Sequence, residues 1–233
     1  MDALKPTLAI LQSGRPLTSS EASKAFEVIL SGEASPAQIG SFVTALRVRG
    51  ETIDEIAAGV SVMRANAMKV KTPTHVLDTC GTGGDGSGSY NISTAVALVA
   101  AACGAYVAKH GTLAQSSKSG SSDVLQALGV ELNLSANALE QCINGVGIGF
   151  LFAPNHHAAM RHVAPIRKEL GFRTIFNLLG PLSNPAGANR QLLGVFDKQW
   201  VEPLAQVLKK LGSERAWVVH GSDGMDELTT TGP

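Results

Sequence analysis

From His75 onward, short apolar runs that end in glycine-rich turns alternate with stretches of helical pattern, and this alternation constrains the fold more than any other feature. Such βα alternation is typical of an α/β domain with a central, mostly parallel sheet. It predicts strands at 75–79, 105–109, 148–152, 173–177, 192–196 and 215–220. Between them it predicts helices at 92–103, 121–128, 136–146, 156–170 and 199–211, with a kink at Pro165.

The first 70 residues show helical signals instead and predict four short helices. Ser35 followed by Pro36 has the pattern of an N-cap and first helical residue, and Thr52 with Glu55 has that of a capping box. An apolar stripe recurs at helical spacing in Ile56, Val60 and Met63. We expect this stripe to be covered by another part of the protein or by a partner subunit.

The composition argues against several classes of partner. Lysines and arginines number 19, as do aspartates and glutamates, so the net charge is zero and nucleic acid is not an expected partner. Charged residues interrupt every apolar run before the roughly 18 residues that a membrane span requires, and the N-terminus has no signal-peptide pattern. The cysteines Cys80, Cys103 and Cys142 are odd in number and far apart, which favours reduced thiols. We therefore expect a cytoplasmic protein without a membrane partner.

A glycine-rich loop follows the first predicted strand of the sheet. It runs from Gly81 to Gly88, and a predicted helix begins near Asn91. Glycines allow backbone amides to approach an anion closely, and a helix N-terminus adds unpaired N–H groups. The loop therefore has the pattern of a phosphate cradle, with a merely flexible connection as the alternative.

Two common nucleotide sites fit this loop poorly. Gly81, Gly83 and Gly86 match the spacing of a dinucleotide fingerprint, but that fingerprint needs an acidic residue about 20 positions later, and 100–109 contains none. A Walker loop needs Gly-Lys-Ser/Thr, whereas Gly88 is followed by Ser89 and a tyrosine. Neither a nicotinamide cofactor nor a nucleoside triphosphate is therefore indicated.

A second polar cluster follows the next predicted strand. Lys109 ends that strand, and the serine-rich segment 116–122 leads into the next helix. Ligands of open α/β sheets bind beyond the carboxyl ends of the strands, so the two loops are expected to face one crevice. Two anion-binding loops suggest a substrate with two phosphate groups, although a simple N-cap and turn would also account for the serines.

Two further groups are candidates for ligand contacts. Asp226 and Glu227 lie in a glycine-containing turn after the last predicted strand, where they are either magnesium ligands or a solvated acidic turn. Arg167 either grips a carboxylate or lies on a helix surface. The neighbouring His157 and His162 are five apart and off-face on a helix, which does not favour zinc.

Taken together, these motifs resemble anthranilate phosphoribosyltransferases, enzymes of tryptophan biosynthesis. The resemblance covers essentially the whole chain and is carried by segments 78–85, 91–94, 109–111, 116–123, 155–167 and 176–185. It implies a small N-terminal helical domain at 1–70 that forms a homodimer and a larger α/β domain at 71–233. By the same resemblance the α/β domain is incomplete, because the family's usual C-terminal third is absent.

The resemblance also implies ligands for individual residues. For the phosphoribosyl pyrophosphate donor these are Gly81, Gly84, Asp85, Ser89, Asn91, Ile92, Ser93, Thr94, Lys109, His110, Gly111, Ser117 and Ser121. The implied Mg²⁺ ligands are Ser93, Asp226 and Glu227. On the anthranilate side the matching residues are Gly81, Thr112 and Arg167. Lys109 and His110 are candidates for stabilising or positioning roles, and no acid or base is assigned.

One departure from the family concerns the acceptor side. Thr112 and Leu113 stand where the family motif has Asn-Arg after Lys-His-Gly. This change leaves two alternatives, an altered acceptor specificity or an impaired or engineered variant. A pyrimidine-nucleoside-phosphorylase-like enzyme and a non-catalytic relative that binds phosphorylated ligands or nucleic acid are the other functions considered.

Overall fold

The computed structural model describes residues 3–113 and 119–232. Its strands are β1 (Leu77–Gly81), β2 (Val107–Gly111), β3 (Ile148–Phe152), β4 (Arg190–Gly194) and β5 (Arg215–Val219). Its α-helices are α1 (Lys5–Gln12), α2 (Ser19–Ser31), α3 (Pro36–Arg49), α4 (Ile53–Asn66), α5 (Ile92–Ala102), α6 (Ser121–Ala127), α7 (Ala136–Val146), α8 (Ala153–His156), α9 (Ala164–Leu170), α10 (Phe176–Leu182) and α11 (Val201–Lys210). Short 3-10 helices cover Ala158–His162 and Lys198–Trp200.

The chain packs into two compact units. The helical unit contains Met1–Ala67 and His157–Ser183, and the sheet unit contains Met68–His156 and Asn184–Pro233. The domains predicted from the sequence, 1–70 and 71–233, stay a prediction. The packing also assigns residues 157–183 to the unit that contains the N-terminal helices.

Side-chain caps start three helices of the helical unit. Thr18, Ser35 and Thr52 each accept the backbone N–H three residues on, and in each case the glutamate or glutamine at that position bonds back to the cap residue. These capping boxes satisfy N–H groups that the first helical turn leaves without a partner. The predicted four short helices of the first 70 residues are confirmed.

Aromatic side chains form the centre of the helical unit. The Phe26 ring meets the rings of Phe42 and Phe176 edge to face, with centroids 5.4 and 6.0 Å apart. A Cβ atom on Gly59 would lie 2.9 Å from the Phe26 ring, so α4 needs a glycine there for this close packing. The predicted apolar stripe of Ile56, Val60 and Met63 is buried by the chain itself.

A buried glutamate ties together the chain segments at the start of α4. Glu55 is fully buried, and its carboxylate accepts the N–H of Leu17 at 2.8 Å and the N–H of Thr52 at 2.9 Å. The same carboxylate forms an ion pair with Arg49. Because these donors come from the α1–α2 connection, the end of α3 and the cap of α4, one side chain fixes the course of three segments.

The sheet unit has five parallel strands in the order β3-β2-β1-β4-β5. From β1 the chain builds outward through β2 and β3, and then returns to add β4 and β5 on the other side. The order therefore reverses between β1 and β4, and ligands of open α/β sheets bind beyond the carboxyl ends at such a reversal. The predicted combination of a helical domain with a mostly parallel α/β domain is confirmed.

Two predicted elements of the helical unit are wrong. The segment 173–177 is not a strand, because Asn177 accepts the N–H of Thr174 at 3.0 Å and α10 begins at Phe176. Ile175, Leu178, Leu179 and Leu182 are buried at helical spacing, and this burial outweighs the strand preference of the local residues. The predicted helix 156–170 is divided, since Pro165 lies in the first turn of α9 instead of kinking a longer helix.

We predict that Glu55→Gln destabilises the chain by about 3 kcal/mol, because a buried charge pair and its hydrogen bonds lose one partner. Urea-induced unfolding measures this change in the free energy of unfolding. The exposed Glu27→Gln is the matched control on α2 and should change it by less than about 0.5 kcal/mol. A Glu55→Gln variant as stable as that control would contradict the role assigned to Glu55.

Candidate functional site

The carboxyl ends of β1 and β4 lie side by side where the strand order reverses. Gly81 ends β1 and pairs with Gly194, which ends β4. A Cβ atom on Gly81 would lie 2.8 Å from the Asp226 carboxylate, and one on Gly194 would overlap the Asp226 backbone carbonyl. The segment with Asp226 therefore crosses these two strand ends at a distance that glycine alone permits.

The glycine loop turns over the end of β1 and faces this acidic segment. Gly83 and Gly84 have φ angles of 66° and 74°, which side-chain-bearing residues rarely adopt. The Gly83 N–H donates to the Asp226 carboxylate at 3.0 Å, and the Asp226 N–H donates to the Asp85 carboxylate at 3.3 Å. Backbone donors of the loop and carboxylates of the chain end thus meet directly.

The first turn of α5 closes the same crevice. Thr79 donates its hydroxyl hydrogen bond to the Ser93 carbonyl at 2.8 Å, which holds the helix start to β1. The Ser93 side chain is near enough to the Glu227 carboxylate to oppose the rise in its pKa. The predicted phosphate cradle, helix N-terminus and acidic pair are therefore neighbours in the structure. This agrees with the predicted position of all three beyond the carboxyl ends of the strands.

The second loop joins the crevice through β2. Asn91 donates to the Ser119 carbonyl at 3.3 Å and accepts from the Ser119 hydroxyl at 3.1 Å, so the two loops are linked. A Cβ atom on Gly111 would overlap the Ser121 hydroxyl at the start of α6. The predicted donor ligand Ser117 lies outside the described residues.

Charges of both signs are concentrated at this site. Burial, followed by the neighbouring Asp226 carboxylate, raises the pKa of Glu227 to about 7. Burial also raises the pKa of Asp226, with the Asp85 carboxylate adding to the effect. Burial alone would raise the pKa of Asp85 as well. Hydrogen bonds from Ser87 and Asp226 outweigh this effect, so the pKa of Asp85 is lowered. Lys109 is almost fully buried beneath them and donates to the Thr79 carbonyl at 2.5 Å.

This donor set fits a divalent cation that is shared with a ligand. Mg²⁺ typically binds one or two carboxylates and completes its shell with phosphate oxygens and water. Asp226 and Glu227 supply adjacent carboxylates whose mutual repulsion a cation would relieve, and Ser93 supplies a hydroxyl.

Across residues 3–113 and 119–232, no group of three or more His, Cys, Asp or Glu side chains is arranged to hold a metal ion.

The structure places the predicted ligands in both units. The sheet unit contains the described donor and metal residues, which are Gly81, Gly84, Asp85, Ser89, Asn91, Ile92, Ser93, Thr94, Lys109, His110, Gly111, Ser121, Asp226 and Glu227. Thr112 follows β2 in the same unit and is exposed. Arg167 belongs to the helical unit, where its guanidinium lies 6.0 Å from the centroid of the Phe176 ring and burial lowers its pKa.

Three residues that shape the site have no role predicted from the sequence. Asp78 is fully buried and accepts the His110 N–H at 3.1 Å. Asn184 donates to the Ala108 carbonyl at 2.8 Å. Gly194 makes room for Asp226. An aspartate inside an apolar strand was the available signal for Asp78, whereas the contacts of Gly194 depend on segments far apart in the sequence.

Within the described residues, no helix combines the length and the apolar character that a membrane crossing needs.

Comparisons with known proteins agree with this architecture. The chain matches the helical bundle domain of a glycosyl transferase family over residues 5–67 and the a/b domain of a glycosyl transferase family over 73–233. An anthranilate phosphoribosyltransferase of Rhodospirillum rubrum is 62% identical over 230 residues, which are 99% of this chain and 66% of the relative. That of Beijerinckia indica is 60% identical over 233 residues, 100% of this chain and 68% of the relative. The chain belongs to the anthranilate phosphoribosyltransferase family.

Solved structures of anthranilate phosphoribosyltransferases have the same fold. The enzyme from Thermus thermophilus superposes with a TM-score of 0.90 at 48% identity, covering 98% of this chain and 68% of that one. The Saccharomyces cerevisiae enzyme in complex with PRPP and Mg also gives a TM-score of 0.90, at 33% identity with the same coverage. The chain spans about two thirds of the length of these anthranilate phosphoribosyltransferases.

We predict that Gly194→Ala weakens Mn²⁺ binding in the presence of pyrophosphate by about tenfold, because the new methyl group displaces the Asp226 backbone. Calorimetric titration measures the affinity. The control is Gly145→Ala on α7, where a Cβ atom has no neighbour within 4 Å among the described residues, and it should leave the affinity unchanged. Equal affinities for the two variants would contradict the placement of Asp226.

Proposed function

We propose that this chain transfers the phosphoribosyl group of phosphoribosyl pyrophosphate to anthranilate, giving N-(5-phosphoribosyl)anthranilate and pyrophosphate. The observation that carries the proposal is the meeting of the glycine loop and the acidic segment, where the Gly83 N–H lies 3.0 Å from the Asp226 carboxylate oxygen. Backbone donors for phosphate oxygens and carboxylates for a metal then occupy one crevice at the strand-order reversal. Family membership supports the choice of donor and acceptor.

The proposed residue roles follow from chemical type and position. Ser93, Asp226 and Glu227 would hold Mg²⁺ against the diphosphate. The donor phosphates and ribose would be held by the glycine loop, the first turn of α5, the end of β2 and the loop before α6, through Gly81, Gly84, Asp85, Ser89, Asn91, Ile92, Ser93, Thr94, Lys109, His110, Gly111, Ser117 and Ser121. The residues proposed for anthranilate are Gly81, Thr112 and Arg167, of which Arg167 would bind the carboxylate.

The proposed chemistry needs no protein nucleophile. The anthranilate nitrogen forms a bond to the anomeric carbon as the bond from that carbon to pyrophosphate breaks, through an oxocarbenium-like state. The nitrogen, which is positively charged after this step, then releases one proton to water. The loop amides and the Lys109 ammonium stabilise the charge that builds up on the leaving pyrophosphate. Mg²⁺, when bound, supplies further positive charge to the same oxygens. Orientation of the amine provides the remainder of the rate enhancement. The proposed setting is a cytoplasmic homodimer.

Loss of anthranilate fluorescence on incubation with phosphoribosyl pyrophosphate and Mg²⁺ tests the function directly. We expect a rate that requires all three components, together with release of one pyrophosphate per anthranilate consumed. Phosphorolysis of thymidine or uridine without anthranilate turnover would instead support a pyrimidine-nucleoside-phosphorylase-like enzyme. Binding of single-stranded DNA in a gel-shift assay, with neither activity, would support a non-catalytic relative.

We predict that Asp226→Asn and Glu227→Gln each raise the Mg²⁺ concentration for half-maximal rate by about tenfold or more, because one carboxylate ligand is lost. The rate is measured across a Mg²⁺ titration at saturating substrates. The exposed Asp223→Asn in the same segment is the control and should shift the titration by less than about twofold. An unchanged Mg²⁺ requirement in both variants would refute the metal role.

We predict that the double change Thr112→Asn and Leu113→Arg lowers the KM for anthranilate by about tenfold, since an amide and a cation are restored to the acceptor side. The KM for phosphoribosyl pyrophosphate should stay within about twofold and serves as the internal control. An unchanged anthranilate KM would show that these two positions do not affect the acceptor, and thus exclude an acceptor-site impairment.

A further inference from the structure

Backbone pairing is much shorter between β1 and β2 than between the other neighbouring strands of the sheet. Backbone pairing of β1 with β4 runs over five positions, from Leu77–Arg190 to Gly81–Gly194, and β2 pairs with β3 over five positions as well. Between β1 and β2, both fully described, the register consists of the single pair Leu77–Val107. The carboxyl ends of these two central strands therefore need another connection where they border the site.

Side chains provide this connection. The buried Asp78 carboxylate on β1 accepts the backbone N–H of His110 on β2 at 3.1 Å. In the opposite direction, the Lys109 ammonium on β2 donates to the Thr79 carbonyl on β1 at 2.5 Å. Asn184 further donates to the Ala108 carbonyl at 2.8 Å. Each of these bonds occupies a main-chain group that a neighbouring strand would otherwise pair.

The connection also includes two buried groups of opposite charge. Asp78 is completely buried and Lys109 is 4% exposed. Burial raises the pKa of Asp78, and the Lys109 charge is the strongest effect that opposes this rise. Burial lowers the pKa of Lys109, and Asp78 is the strongest of the charges that oppose this effect. The Lys109 charge also opposes the rise in the pKa of Glu227, so its electrostatic effect reaches the proposed metal site.

We propose that Asp78 is a positioning residue for Lys109: its buried carboxylate fixes the end of β2 through the His110 amide, next to Lys109, and its charge opposes that of the Lys109 ammonium, which is bonded back to β1 at the Thr79 carbonyl. The inference rests on the proposed function, because the leaving diphosphate is the group that Lys109 is proposed to meet. Asp78 itself lies below the crevice and acts through Lys109.

A double-mutant cycle on Asp78 and Lys109 tests this coupling. Binding of Mg²⁺ and inorganic pyrophosphate is measured by calorimetry for the wild type, Asp78→Asn, Lys109→Met and the double variant. We expect each single change to weaken binding about tenfold, and the double variant to bind within about twofold of Lys109→Met. Asp54→Asn, an exposed aspartate of α4, is the matched control and should bind like the wild type.

The outcomes separate this inference from the proposed function. A wild-type chain that does not bind Mg²⁺ and pyrophosphate overturns both. If the wild type binds but Asp78→Asn binds equally well, the positioning role alone is wrong. A double variant about 100-fold weaker than the wild type also refutes it, because additive losses mean that Asp78 acts independently of Lys109.

Thermal unfolding provides a second test that does not depend on ligand binding. Removing one of two buried opposite charges leaves the other uncompensated, whereas removing both leaves neither charge. We therefore expect the double variant to unfold at a higher temperature than Lys109→Met. A double variant that is less stable than both single variants overturns the proposed pairing.

Discussion

The close approach of the Asp226 backbone to Gly194 and Gly81 is the contact on which the whole site depends. No side chain separates the acidic segment from the carboxyl ends of β1 and β4, so the Asp226 carboxylate reaches the Gly83 amide of the glycine loop. Had either strand ended in a residue with a Cβ atom, Asp226 and Glu227 would lie further out. Two glycines on neighbouring strands thus convert a sheet edge into a crevice, with the proposed phosphate donors on one wall and the proposed metal ligands on the other.

The electrostatics of the crevice suit a ligand that brings both a cation and an anion. Burial, and after it the charges of Asp226 and Asp85, raise the pKa of Glu227, and a divalent cation would relieve the repulsion among these carboxylates. The buried Lys109 ammonium and the buried Asp78 carboxylate add opposite charges on the neighbouring strands β2 and β1. A magnesium diphosphate complements both charges at once, which neither a bare metal nor a bare phosphate does. This pairing links the fold of the central strands to the chemistry proposed for them.

Much of this arrangement was predictable from local sequence signals. Strand 148–152 and helix 136–146 were predicted with the bounds that the structure shows, because glycines and an N-cap serine mark their ends. The segment 173–177 was not, since its strand preference gives way to burial of one face of α10. The contacts of Gly194 and the role of Asp78 were also missed. They arise from packing between segments distant in the chain, and the one local signal was the aspartate inside an apolar strand at Asp78.

The central claim is that loops 81–94, the end of β2 and residues 226–227 share one magnesium diphosphate ligand. Paramagnetic broadening of backbone amide signals by Mn²⁺, recorded with and without pyrophosphate, measures this most directly. We predict that Gly83, Ser93, Lys109 and Glu227 broaden together, and much more strongly when pyrophosphate is present. Broadening confined to 226–227 in both conditions, or spread over the surface, would contradict the account.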